Sequence, residues 1–136
     1  MLEFDEAQSR LTEAAPFPTR VETVPLVQAA GRVLAVELTA TVDLPPADNS
    51  AMDGYAIRHA DYRPGVAMPI QQRSYAGEQP QPLVAGQATR LFTGSLIPQG
   101  ADTVCSQDNT REAVGMVEIT TAPQAGQHVR KQGQDV

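Results

Sequence analysis

Apolar residues near the N-terminus recur at the spacing of an α-helix. They are Phe4, Ala7, Leu11 and Ala14, at i, i+3, i+7 and i+10 along the chain. This spacing is one face of a 3.6-residue period, so it predicts an amphipathic helix over residues 4–15 that is ended by Pro16-Phe17-Pro18. The apolar face is thin, and we expect the helix to pack on something else rather than stand alone. Further on, residues 21–26 are expected to be extended and 27–31 to form one helical turn closed by Gly31.

The rest of the chain has the pattern of a β domain. Short apolar or β-branched runs are separated by Gly, Pro and Asx residues: Tyr55–Arg58, Val66–Gln71, Ala88–Thr93, Thr103–Gln107 and Met116–Thr121. In the last run, Val117 and Ile119 alternate with polar residues, as in a strand with one solvated face. The predicted fold class is therefore mainly β, a small twisted or barrel-like domain behind the N-terminal helix.

Composition narrows the possible functions. The 136 residues suffice for one domain, or one domain with a small appendage. The net charge is −6 and the basic residues are scattered, so a nucleic-acid footprint is absent. No apolar run is long enough to span a membrane, and the acidic N-terminus lacks a signal-peptide pattern, which favours a cytoplasmic location. The single Cys105 is expected to be a small buried strand residue.

Residues 45–56 are the densest group of candidate chemistry. Two prolines fix the start of the segment and Gly54 frees its end, so it should be a rigid loop that displays oxygen ligands. Hard cations prefer oxygen ligands, so Asp48 and Asp53 are candidate ligands or water organisers for Mg²⁺. The spacing does not fit an EF-hand: counted from Asp48 as position one, Gly54 falls at seven instead of six, and His59 falls at twelve, where Glu is needed. On local pattern alone, an Asx-rich turn between strands is the commoner interpretation.

A second candidate is the turn Thr93-Gly94-Ser95, whose successive N–H groups could form an anion-binding nest. An ordinary hairpin turn is the alternative. Arg58 and the Arg130-Lys131 pair are possible anion contacts, although solvated surface charge is the commoner role of such residues. His59 and His128 are isolated, without a Cys or carboxylate at ligand spacing, so we assign no zinc site.

Three segments resemble one protein family. Residues 45–56 (PPADNSAMDGYA) resemble the signature of the molybdopterin molybdenumtransferases, the MoeA family, whose eukaryotic relative is the gephyrin E domain. Residues 90–102 (RLFTGSLIPQGAD) resemble the family's Thr-Gly-x-x-x-Pro-x-Gly-Ala-Asp segment, and residues 127–135 match more weakly. The chain departs from the family where Gln134 replaces a glutamate and where Ser106 and Asp108 follow the second motif.

The resemblance implies an enzyme that inserts molybdate into adenylylated molybdopterin, during molybdenum cofactor biosynthesis. It implies catalytic roles for Asp53 and Thr93, with Asp53 as a tentative Mg²⁺ ligand. Gly94, Ser95 and Arg58 would contact the substrate or oxyanion, and the loop would be supported by Asp48, Asn49 and Ser50.

The resemblance also implies that the chain is an N-terminal fragment, because the Thr-Gly-Asp-Glu and Gly-Gly-x-Ser segments of the family's α/β domain do not occur in it. Residues 1–43 would belong to family domain 1, 44–124 to family domain 2, and 125–136 to a truncated return into domain 1. We expect a homodimer, and we expect this chain alone to be inactive. Two alternatives remain open, a non-catalytic dimerisation or scaffolding module of the same fold and a generic all-β binding domain.

Overall fold

The N-terminal helix forms where the apolar spacing predicts it. In the computed structural model, which describes residues 2–16 and 20–136, helix α1 spans Phe4–Ala14. Asp5 and Glu6 lie in its first turn, where carboxylates complement the helix dipole. Every residue of α1 is described and none is buried. The predicted stop at Pro16-Phe17-Pro18 lies partly outside the described residues.

The chain divides into two units, Met1–Thr39 and Ala40–Val136. This division does not test the predicted family-domain boundaries at residues 43 and 124, which therefore stay predictions. In the first unit, a 3-10 turn at Leu26–Gln28 and a positive φ of 78° at Gly31 stand where one helical turn is predicted. The segment predicted to be extended, residues 21–26, pairs with no strand of the described chain.

The first unit exposes most of its large apolar side chains. Those more than 60% exposed are Phe4, Leu11, Val21, Leu26, Val27, Val33, Leu34, Val36 and Leu38. A cavity of about 1070 Å³ in this unit is lined by residues between Arg20 and Leu38. None of the predicted site residues lines that cavity. The expectation that the helix needs a packing partner agrees with this exposure, because no residue of α1 is buried.

The second unit contains eight strands in two sheets. The strands are β1 (Asn49–Ser50), β2 (Gly54–Ile57), β3 (Met68–Ser74), β4 (Ala88–Leu91), β5 (Thr103–Ser106), β6 (Thr110–Ala113), β7 (Met116–Ile119) and β8 (Val129–Arg130). The six-stranded sheet has the order β5-β2-β4-β3-β7-β6, and β1 pairs with β8. The mainly β fold is confirmed, and each of the five predicted runs overlaps a strand. Strands β1, β6 and β8 are additional.

Strand β2 lies between two equally buried strands, since all four residues of β2, β4 and β5 are buried. It pairs antiparallel with β4 on one side and with β5 on the other, whereas β3 and β4 are parallel. One face of the sheet carries the larger core, which includes Tyr55, Ile57 and Val117, and the opposite face carries Ala56, Leu91 and Val104. Cys105 is a buried residue of β5, as predicted.

The backbone around Leu44 lies beside the last residues of the chain. The Leu44 N–H donates to the Val136 carbonyl at 3.0 Å, and the Asp135 N–H donates to the Leu44 carbonyl at 2.8 Å. The Leu44–Pro45 peptide bond is cis. Within the described residues, no helix is long and apolar enough to cross a membrane.

The turn between β6 and β7 holds a β-branched residue in a left-handed conformation. Val114 has φ 51° and Gly115 has φ 75°, and the Val114 side chain is fully exposed. A two-residue hairpin turn with two positive φ angles favours Asn-Gly, and the left-handed region costs an L-residue with a Cβ roughly 1–2 kcal/mol. Val114 therefore strains the hairpin without contributing to the core.

We expect Val114→Asn to raise the free energy of unfolding by about 1 kcal/mol, because Asn tolerates the left-handed region and Val does not. Urea denaturation of the 136-residue chain measures this change. Gly115→Ala is the matched control and should destabilise, since it adds a Cβ at φ 75°. Equal stabilities of the wild type and Val114→Asn would show that the turn relaxes in solution.

Amide hydrogen exchange should separate the two units. Amides of Ala88–Leu91 lie in the middle of the sheet and should exchange slowly, together with those of Met116–Ile119. Amides of residues 20–39 should exchange fast, because segments with few buried contacts open at low free energy. Comparable protection across both units would contradict this prediction and would mean that the apolar residues of the first unit are covered in solution.

Candidate functional site

Asp53 and Thr93 meet at one end of the β2–β4 pair. Asp53 directly precedes β2, Thr93 follows β4 by two residues, and Gly54 lies opposite Leu91 in the ladder. The Thr93 N–H and the Thr93 hydroxyl both donate to Asp53 Oδ1, at 2.8 and 2.7 Å. The two longest matched segments of the sequence therefore join at a single carboxylate oxygen. Asp53 Oδ2 has no hydrogen-bond partner among the described residues.

These contacts favour the charged form of Asp53. The pKa of its carboxyl group is lowered from 3.8, mainly by the Thr93 N–H and next by the Thr93 hydroxyl. Partial desolvation acts in the opposite direction, and the positive charge of Arg90 lowers the pKa further. Asp53 is therefore an ionised carboxylate at neutral pH, with one oxygen held by the protein and the other available.

Ser50 and Ser95 join the two segments through their backbones. The Gly94 N–H donates to the Ser50 carbonyl at 2.8 Å, and the Ser50 N–H donates to the Ser95 carbonyl at 2.9 Å. Both serines are buried. The Ser95 hydroxyl donates to the Ser74 carbonyl at 3.0 Å and accepts from the Phe92 N–H at 3.2 Å. Ser95 is thus a support of the turn, and its hydroxyl points into the protein.

The turn at Thr93-Gly94-Ser95 has no free N–H group for an anion. The Thr93 N–H donates to Asp53, the Gly94 N–H to Ser50, and the Ser95 N–H to the Phe92 carbonyl at 2.9 Å. An anion-binding nest needs successive N–H groups that converge on open space. In this conformation the predicted nest is unavailable. Gly94 instead provides a positive φ of 83° that closes the turn.

Asp48 lies in the same loop but takes part in a different contact. Its Oδ2 accepts from Lys131 Nζ at 2.7 Å and its Oδ1 from the Gln132 N–H at 2.9 Å. The Lys131 hydrogen bond is the largest cause that lowers the pKa of Asp48. Asn49 pairs with Arg130 in the β1–β8 ladder. Both residues therefore attach the loop to residues 129–132 rather than extend the Asp53 site.

Arg58 is not close to Asp53. It follows β2, whereas Asp53 precedes it, so about 16 Å of extended chain separates the two residues. Arg58 Nε lies 3.9 Å from Asp61 Oδ2. Arg130 is ion-paired with Asp135, and Lys131 with Asp48. The structure thus brings Asp53, Thr93, Gly94, Ser95 and Ser50 together and leaves Arg58 outside that group.

Arg90 is a site residue that the sequence analysis did not single out. It is 8% exposed, and its guanidinium lies over the rings of Tyr55 and Phe92, 5.1 and 4.6 Å from their centroids. Phe92 in turn stacks on Tyr75 at 4.6 Å. The one sequence signal for Arg90 is that it is the only charged residue of β4. A single arginine in a strand is more often an exposed residue of an edge strand, so this signal does not indicate a buried cation.

A second charged group lies on the same face of the sheet. The Tyr55 hydroxyl donates to Glu112 Oε2, and Arg73 Nη2 lies 2.6 Å from Glu112 Oε1. Burial, followed by the hydrogen bond and charge of Glu112, raises the pKa of Tyr55 to about 12. Glu112 belongs to β6, a strand not predicted from the sequence, so this link joins the outer hairpin to the centre of the sheet.

The donor set fits one ligand of a hydrated Mg²⁺ rather than a complete metal site. Within the described residues, no group of three His, Cys, Asp or Glu side chains could hold a metal ion. Asp53 Oδ2 is a free carboxylate oxygen, and Mg²⁺ commonly keeps several waters when it binds through one or two carboxylates. A bound Mg²⁺ would supply positive charge to neutralise an anionic substrate.

Comparison with known proteins agrees with this architecture. The family model described as the MoeA N-terminal region (domain I and II) matches residues 2–136. Two solved structures of the molybdopterin biosynthesis MoeA protein of Pyrococcus horikoshii superpose with TM-scores of 0.73 and 0.71, at 32% and 30% identity. They cover 85% and 83% of this chain, and 32% and 30% of those chains.

Curated relatives point the same way. The chain is 36% identical over its whole length to the molybdopterin molybdenumtransferase of Haemophilus influenzae, and 41% identical over 93% of its length to that of Synechococcus elongatus. It covers 34% and 33% of these two proteins, and so spans about a third of their length. The chain belongs to the MoeA N-terminal region family.

We expect Thr93→Val to raise the pKa of Asp53 toward 3.8, because it removes the hydroxyl donor but keeps the N–H donor. A lowered folded pKa gives stability that is present above the unfolded pKa and is lost as the pH falls through the folded pKa. Thr93→Val should therefore also weaken the acid dependence of stability. Carboxyl NMR titration measures the pKa, and Asp48 is the internal control whose titration should not move.

Proposed function

We propose that this chain supplies the MoeA N-terminal region of an enzyme that inserts molybdate into molybdopterin, activated by adenylylation, in molybdenum cofactor biosynthesis. Its family membership and the names of its relatives support the reaction class. The single observation that carries the proposal is the pairing of Asp53 with Thr93. In this pair, Asp53 is an ionised carboxylate with one free oxygen, and it lies where the two matched motifs meet.

The proposed division of roles follows from which atoms are committed. Asp53 Oδ2 is the free oxygen, so Asp53 is the residue that would bind Mg²⁺ directly or through water. Thr93 holds the other oxygen and keeps the carboxylate in one orientation. Gly94, Ser95 and Ser50 shape the turn, while Asp48 and Asn49 fix the loop from the opposite side.

Molybdate is a dianion, and an ionised carboxylate repels it. Asp53 therefore cannot be its direct ligand, and a cation between the two would remove the repulsion. The remaining groups for molybdopterin and for the oxyanion would come from outside residues 1–136 of this chain. We further propose that the active protein is a cytoplasmic homodimer.

A second candidate function is self-association without catalysis. The observation in its favour is the exposure of large apolar side chains in the first unit, with Phe4 77% and Leu26 90% exposed. Such surface is uncommon on a soluble monomer and marks an interaction site when it is contiguous. Dimerisation of the 136-residue chain, together with failure of the chimera described next to restore insertion, would favour this alternative.

A chimera tests the proposed function. Residues 1–136 would replace the matching N-terminal region of the Haemophilus influenzae molybdenumtransferase, to which this chain is 36% identical over its whole length. The chimera should restore molybdoenzyme activity in a bacterial strain that lacks its own molybdenumtransferase. The 136-residue chain expressed alone is the negative control and should restore none, because positioning of the substrate is lost.

In that chimera we expect Asp53→Asn to lower insertion activity at least roughly tenfold. The amide oxygen can still accept from Thr93, so the turn and the melting temperature should be preserved while the charge is lost. Asp61→Asn is the matched control. It makes the same exchange outside the site, and its amide oxygen can still accept from the Gly86 N–H that Asp61 Oδ2 now binds at 2.8 Å. Equal activities of both variants, or unfolding of Asp53→Asn, would refute the role of Asp53.

A further inference from the structure

Arg90 is a buried cation without a carboxylate partner. No salt bridge joins it to any acidic residue of the described chain. Removing a charge from water is costly unless its donors are satisfied. Two aromatic rings and three neutral acceptors compensate here. An arginine on the surface would lose less hydration free energy than a buried one, so burial of Arg90 needs a structural reason.

The three acceptors lie on both sides of the Asp53–Thr93 pair. Arg90 Nη1 donates to the Gly54 and Leu91 carbonyls, both at 3.0 Å, and Nη2 donates to Gln107 Oε1 at 2.7 Å. Gly54 directly follows Asp53, and Leu91 precedes Thr93 by two residues. The N–H of Gln107 donates to the Asp53 carbonyl at 2.9 Å.

We propose that Arg90 is the positioning residue of the Asp53–Thr93 pair. Its planar guanidinium, the fork, hydrogen-bonds the backbone after Asp53, the backbone before Thr93 and the Gln107 side chain, and so holds the three together. This inference rests on the proposed function for its relevance to molybdate insertion, but the positioning itself is a property of this chain. Arg90 also places its positive charge near Asp53, which agrees with its effect on the pKa of that carboxyl group.

The geometry explains why lysine could not replace this arginine. A guanidinium presents donors in a fixed plane and can serve several acceptors while it stacks on aromatic rings. A lysine ammonium is a compact point charge on a flexible stem and could not hold three acceptors in these directions. Arg90→Lys therefore keeps the charge and removes the fork.

The test compares Arg90→Lys with Arg73→Lys in the 136-residue chain. Arg73 is the register partner of Arg90 on β3, its side chain is 51% exposed, and it pairs with Glu112 rather than with the turn. In Arg90→Lys the Thr93 amide, which donates to Asp53, should exchange at least about tenfold faster with solvent. The Gln107 amide, which donates to the Asp53 carbonyl, should also exchange faster. Arg73→Lys should change neither quantity.

In the chimera, Arg90→Lys should lower insertion activity at least roughly tenfold, whereas Arg73→Lys should not. If Arg90→Lys does not fold, Gln107→Ala decides, since it removes one acceptor of the fork and should produce the same two increases in exchange at smaller size. Unchanged exchange of the Thr93 and Gln107 amides in the folded variant would overturn the proposal. Because these two readouts need no activity, failure of the unmodified chimera to insert molybdate would count against the proposed function and not against the role of Arg90.

Discussion

The close approach of β2 to β5 is the constraint on which the rest of the site depends. A Cβ at Gly54 would lie 2.0 Å from the Cys105 carbonyl oxygen, a distance that no side chain can occupy. Glycine therefore lets β2 lie between β4 and β5 at full ladder contact, and Asp53 is the residue immediately before it. The location of the carboxylate is thus decided by backbone packing, and the N–H and hydroxyl of Thr93 set its orientation.

One face of the sheet carries a buried arginine and a partly exposed glutamate, and their charges are compensated in different ways. Glu112 meets Tyr55 and Arg73, so it has both a hydroxyl donor and an opposite charge. Arg90 has only neutral acceptors and aromatic faces. Tyr55 contacts both groups, which makes it the residue through which the outer hairpin and the Asp53 turn are connected.

The sequence predicted those features that repeat or that stand together along the chain. The helix at Phe4–Ala14 and five of the eight strands follow from apolar spacing and turn residues. Strand β6 was missed because Thr110–Ala113 is polar and largely exposed, so no alternation marks it. The grouping of Asp53 with Thr93 was suggested only by resemblance, since 40 residues separate them and the contact depends on the β2–β4 register. Local pattern cannot reveal which acceptors bind the N–H groups of Thr93-Gly94-Ser95, so these groups were expected to be free. It also cannot reveal that Arg58 and Asp53 lie at opposite ends of β2, which depends on the direction of the strand.

The backbone around Leu44 pairs with residues 135–136, so the second unit has the geometry of a domain inserted into a loop of another protein. The backbone at Leu44 and that of residues 135–136 lie side by side, so a host protein would need only one narrow gap in a surface loop to carry the unit. The host would not have to bend, and the inserted unit would not have to stretch.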